Sequence, residues 1–157
     1  MWQALEDSAW VKSFGSTGWL YASVAVIHYL TMFWFIGSMA VVDLRVMGLA
    51  AKKRSVLDVA EQFFPWVWIG MILSSIAGFF MFSTQAGDWA PDKVVHIKFI
   101  MILVSLAFVI IVRVNIRKWS EAPEIPTWAK AVALISLLLW IATILSASEI
   151  PAMEGLG

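Results

Sequence analysis

The 157-residue chain contains no cysteine. Disulfide scaffolds, thiol nucleophiles, thiolate zinc sites, iron–sulfur clusters and thioether-attached haem are thereby excluded. Charge is scarce as well. Only 14% of the residues are Asp, Glu, Lys or Arg, and 61% are hydrophobic, whereas soluble domains average about 25% charged. A water-soluble domain of this length could not cover its surface with so few charges while hiding so much hydrocarbon. A soluble enzyme, a nucleic-acid binder and a disordered chain are excluded on the same ground. Histidine is rarer still, with two residues in all. Alternating period-2 patterning is missing, which argues against a β-barrel. No paired carboxylates, nucleophilic triad or phosphate loop is visible.

What the chain does have is four long apolar runs, at 18–42, 63–84, 94–112 and 128–148. Each is long enough for a helix to cross a hydrocarbon core of about 30 Å, which takes about 20 residues. Short connections between them imply antiparallel neighbours. The expected fold is therefore an all-α integral membrane protein, an antiparallel four-helix transmembrane bundle spanning 18–150. Residues 1–17 precede it and a C-terminal tail, 151–157, follows it. Pro65, Pro91 and Pro126 stand at the starts of runs two, three and four, where a first-turn proline is tolerated. Pro151 is expected to stop the fourth helix. Asp43 to Leu49 is expected to continue the first helix past the membrane surface. The N-terminal segment has Glu6 and Asp7 and no basic stretch, unlike a secretory signal. Its Trp2, Leu5, Trp10 and Phe14 predict either a short interfacial helix or a frayed tail with aromatic anchors.

The formal net charge of zero conceals a polarity. Loop one–two with its flanks holds Arg45, Lys52, Lys53 and Arg54, and loop three–four with its flanks holds Arg113, Arg117, Lys118 and Lys130, so 8 of the 11 basic residues fall on one side. That basic end is expected to face the cytoplasm, with both termini outside (N-out, C-out) and the protein in a bacterial inner membrane.

Ionisable groups inside a bilayer are expensive and each needs a reason. Within the runs they are His28, His96 and Lys98; Asp43 and Arg45 sit at an edge, where they are expected to cap the membrane boundary. Counting back from Asp43 and from Arg113 puts the two imidazoles at depths that differ by about 3 Å. Two neutral imidazoles at one level, facing across a bundle, match the axial ligands of a six-coordinate haem b. Gly70, Ser74 and Gly78 form a stripe of small residues on helix two. It is either a slot for the macrocycle or a surface for close helix packing. Lys98 and Lys93 are candidates for the propionates, or simple interfacial anchors. Met32 lies one turn from His28, so His28, His96 and Met32 also suit Cu(I). Trp34 and Trp140 are expected to lie deep, in the packing core.

The stretch Ile27-His28-Tyr29-Leu30-Thr31-Met32-Phe33-Trp34-Phe35-Ile36-Gly37, followed by Asp43-Leu44-Arg45-Val46-Met47-Gly48-Leu49, resembles an early helix of a bacterial membrane superfamily. That superfamily includes copper-resistance-D-like proteins and HemJ-type protoporphyrinogen oxidases. The matching positions are His28, Trp34 with Gly37, and Leu44-Arg45, and His96-Ile97-Lys98 is similar to the His or Lys near the start of a later helix. The resemblance implies a capacity to bind haem at a helix-borne histidine and a link to redox or metal biology. Ser38-Met39-Ala40 departs from the aromatic-rich end of the HemJ-type pattern, so porphyrinogen oxidation does not carry over.

The expectation is thus a cytochrome b-like membrane protein with one haem b between His28 and His96. It would move electrons between a quinone and a periplasmic redox partner, or serve as the membrane subunit of a larger complex or homo-oligomer. Its competitors are a non-redox structural or assembly subunit and a copper-handling protein.

Overall fold

The computed structural model describes residues 1–154, with side chains through Leu145. Two short helices, α1 (Trp2–Glu6) and α2 (Ala9–Ser16), lead into the long α3 (Gly18–Val46). Then come α4 (Val56–Ser83), the single-turn α5 (Ala86–Trp89), α6 (Lys93–Glu121) and α7 (Thr127–Glu154). Four of these helices are long and apolar enough to cross a membrane. They pack antiparallel, α3 chiefly on α4 and α6 chiefly on α7, and the two pairs join through α3 with α7 and α4 with α6.

Helix ends follow local chemistry. The first long helix stops soon after Asp43 and does not continue to Leu49. Gly48 adopts φ +77°, Leu49 N–H donates to the Leu44 carbonyl at 2.8 Å and Gly48 N–H to the Arg45 carbonyl at 3.0 Å. This is a Schellman termination, and glycine permits its left-handed residue. At the other side of that loop Ser55 Oγ accepts from Asp58 N–H at 3.0 Å, which caps α4 seven residues before the apolar run begins. Pro65 consequently lies inside α4 instead of in its first turn. There it leaves the Glu61 carbonyl without an intrahelical donor. Asp92 caps α6 by accepting from Val94 N–H at 2.7 Å. The backbone of α7 continues through Pro151 to Glu154, past the expected stop, so residues 151–154 of the expected tail are helical and 155–157 lie outside the described residues.

The bundle is apolar outside, and its largely apolar interior also holds several polar groups. Leu30, Phe33, Ile100, Leu103 and Leu138 point outward, while Ser38, Asp43, Ser74, Ser105, Ser136 and Thr143 are buried. This arrangement suits a hydrocarbon solvent, in which apolar side chains gain nothing by hiding and close packing plus interhelical polar contacts hold helices together. The closest seam is α3 on α4. A Cβ added at Gly70 would stand 2.8 Å from Phe35 Cβ and 3.1 Å from the Thr31 carbonyl oxygen, and one at Gly78 would stand 2.9 Å from His28 Cε1. The heart of the core lies toward the basic end, where Met39, Val42, Val67, Val109, Val112 and Ala133 are fully buried. There Trp140 meets Phe35 edge to face at 5.0 Å, and the Arg113 guanidinium lies 5.4 Å from the Phe64 ring centre. Trp34, by contrast, is 56% exposed and pairs with Trp66 on the outer surface.

The N-terminal segment is neither frayed nor detached. Val11 and Phe14 are buried, Trp2 packs edge to face on Phe82, Trp10 on Phe80, and the Glu6 carboxylate accepts from Gly87 N–H at 2.8 Å. The segment closes one end of the bundle through α4 and α5.

Replacing Gly70 by Val is expected to lower stability by about 1–3 kcal/mol, the usual cost of forcing bulk into a packed interior. Gly37 has nothing within 4 Å of an added Cβ, so Gly37→Ala should cost nothing or stabilise slightly. Thermal unfolding of the two variants in one detergent compares them directly.

Candidate functional site

The site builds from α3. His28 shares a stripe with Phe35 and Val42, each one heptad further along, and that stripe faces α4. Its ring lies over Gly78, and its Nδ1 sits 2.8 Å from the Ser74 carbonyl oxygen. A carbonyl only accepts, so Nδ1 carries the proton and Nε2 is left with its lone pair. The Ser74 hydroxyl adds a 3.3 Å contact to the His28 carbonyl. An imidazole pinned through Nδ1–H to a backbone carbonyl, with Nε2 directed elsewhere, is how proteins orient a metal-ligating histidine. The same bond also ties two membrane helices together.

The stripe of small residues has a definite occupant. Gly70 receives Phe35 and the Thr31 carbonyl, and Gly78 receives the His28 ring. Between α3 and α4 these residues leave no slot for a macrocycle, so close packing, not a cofactor slot, is what Gly70, Ser74 and Gly78 provide.

The other predicted site residues lie on α6. The buried seam of that helix runs through Val95, Ser105, Val109, Val112, Ile116 and Trp119. Lys98 falls on this seam by helical spacing, is half-buried, and lies across the bundle within electrostatic reach of His28. His96 is two residues away, about 200° around the helix, and is exposed. Whatever their relative depth, the two histidines do not share a direction, and the imidazoles do not face each other. Met32 is half-buried one turn from His28, but with His96 turned outward the three-residue copper set does not converge. Among the described residues no group of three or more His, Cys, Asp or Glu is placed to hold a metal ion.

The surroundings of His28 differ from the rest of the interior. On α6 no residue between Val95 and Ser105 is buried, and on α3 none before Phe35. The half of the bundle away from the basic end is thus less sealed, and His28 and Lys98 look into it from opposite helix pairs. A separate cavity of about 600 Å³ lies at that end, lined by Glu6, Asp7, Lys12, Tyr21, Thr84 and Gln85 among others. Neither histidine lines it.

A family model covers residues 5–150. The chain belongs to the DUF6644 family. It is a family of unknown function, and the match takes in α2 through most of α7. No curated protein and no solved structure matches the chain.

Sequence reasoning underrated one residue of this DUF6644 protein. Asp43 does not cap the membrane edge; it is fully buried in the core. Its spacing agrees with that place, four residues after Met39 and eight after Phe35, once the structure shows that face to be buried. Arg45, two residues on, is half-buried and donates from Nε to the Arg54 carbonyl at 2.8 Å, which fastens the α3–α4 loop.

With two histidines in the chain, a nitrogen-15 histidine NMR spectrum has two residues to report. One imidazole is expected to show a protected Nδ1–H, and Gly78→Val, which pushes into the ring, should abolish that protection while leaving the His96 signals in place.

Proposed function

We propose that this protein is a haem b-binding membrane protein that passes electrons between a membrane quinone and a redox partner on the side away from the basic end. In this reading the membrane is a bacterial inner membrane and the basic end faces the cytoplasm, as the sorting of basic residues favours. The observation that carries the proposal is the His28 imidazole, held through Nδ1–H by the Ser74 carbonyl with Nε2 left to ligate. Haem, when bound, supplies the one-electron chemistry; the protein sets its ligand, its counter-charges and its dielectric.

The fit of residues to haem is partial and specific. His28 would be one axial ligand. Lys98, half-buried on the opposite pair of helices and within electrostatic reach, would balance a propionate. The macrocycle would enter the less sealed half of the bundle, between the α3–α4 and α6–α7 pairs, because the Gly70–Gly78 stripe is filled by α3. His96 in its present direction is not the second ligand. The resemblance of α3 to the HemJ-type helix points the same way.

A second reading has the same observation behind it. The His28–Ser74 bond by itself ties α3 to α4, which suits a structural or assembly subunit.

Visible spectroscopy of protein purified from haem-replete cells separates the two. The haem reading expects a Soret band that His28→Ala removes and Lys98→Ala weakens or shifts, whereas His96→Ala leaves it in place. A colourless preparation leaves the structural reading standing, as would a band indifferent to His28→Ala.

A further inference from the structure

The chain has five aspartates, Asp7, Asp43, Asp58, Asp88 and Asp92. Four of them are exposed. Asp43 is 0% exposed, and neither of its carboxyl oxygens has a hydrogen-bond partner. Ser136, also 0% exposed, faces it from α7. The Ser136 hydroxyl makes no hydrogen bond of regular geometry either. Two buried, unpartnered oxygen groups thus confront each other across the α3–α7 interface, in the part of the core that Met39, Val42, Val46 and Ala133 fill with hydrocarbon.

No charge on any neighbouring helix offsets the carboxylate. On α3 itself, Arg45 is committed to the Arg54 carbonyl. On α4, Asp58 and Glu61 are exposed; on α6, Arg113, Arg117 and Lys118 are exposed; on α7, Lys130 is exposed. The one salt bridge among the described residues joins Lys12 to Asp7, at the other end of the molecule. A lone carboxylate in such a place is far costlier than a neutral carboxyl. A metal cation would neutralise it only with more oxygen ligands than one hydroxyl supplies. A proton neutralises it with a single bond, and the resulting carboxyl has one O–H to donate toward a hydroxyl acceptor.

We propose that Asp43 and Ser136 form a proton-binding site inside the bundle, near its basic end. The Asp43 carboxylate takes one proton from water on the basic side and returns it there, and the Ser136 hydroxyl accepts the O–H of the protonated form. The step is a bare proton exchange, carboxylate plus proton to carboxyl, with no electron transferred and no other bond broken. It stands independently of haem, because Asp43 lies 15 residues along α3 from His28, about 22 Å at the helical rise.

The test uses the full chain in lipid vesicles, labelled with carbon-13 at the aspartate side-chain carboxyl. At neutral pH four of the five signals are expected to be ionised and one protonated. The protonated signal should vanish in Asp43→Asn and in Asp43→Glu; the latter keeps a carboxyl in place where the amide variant fails to fold. Ser136→Ala should retain the signal and displace its titration midpoint. Five aspartates that ionise together overturn the proposal. So does a protonated signal that survives both Asp43 variants, or one that sodium or potassium displaces at constant pH, which would mark a cation site instead.

Discussion

The close approach of α3 to α4 is the contact on which the rest of this molecule depends. In hydrocarbon there is no hydrophobic gain in bringing helices together, so association rests on surface complementarity and on polar groups that find partners across the gap. Gly70 and Gly78 remove the Cβ atoms that would hold the backbones apart, and Ser74 offers a carbonyl and a hydroxyl in the same stripe. Thr31, Phe35 and His28 enter the space so created. Once the two helices are seated, His28 is oriented, Phe35 is directed at Trp140 of α7, and Asp43 is carried into the core at the other end of the same helix face.

The interior that results is graded along the membrane normal. Toward the basic end it is dense, with valines, alanines and Trp140 filling the space among all four helices. Away from it the two helix pairs seal less completely, and the ionisable groups that face inward are His28 and Lys98. The docked N-terminal helices close that end from the side of α4 and α5, with Gly87 leaving room for Gln3 and Glu6 beside its backbone. One bundle thus carries two chemically distinct interiors, an imidazole and an amine in the looser half and a carboxyl with a hydroxyl in the tighter half. The first is where the proposed haem would sit. The second holds little more than a proton.

Much of this was legible in the chain. Four apolar runs with short connections specify an antiparallel membrane bundle, because length against bilayer thickness and the need to satisfy every backbone group leave few other solutions. The N-caps Ser55 and Asp92 came only with the structure, as did the stop at Gly48, which overturns a first helix expected to run on to Leu49. What misled was the boundary between run and helix. Run two began at Phe63, yet α4 begins at Val56, since an exposed first turn of a helix need not be apolar. Pro65 therefore moved from an apparent first turn to the helix interior. The stripe Gly70-x-x-x-Ser74-x-x-x-Gly78 was recognised as small, but smallness alone does not say whether a ring or another helix fills it.

By itself, then, the sequence determined the solvent and the number of spans, because run length against bilayer thickness leaves few other solutions. It did not determine direction around the helix axis, which depends on which faces neighbouring helices cover. Only the tertiary structure decided that Lys98 faces inward while His96, two residues away, faces out. It decided too that Asp43, which looked like an edge residue by depth, is enclosed on all sides. The physical reason is the same in both cases: at 100° per residue, two positions along a helix separate a core group from a lipid-facing one, and packing alone selects between them.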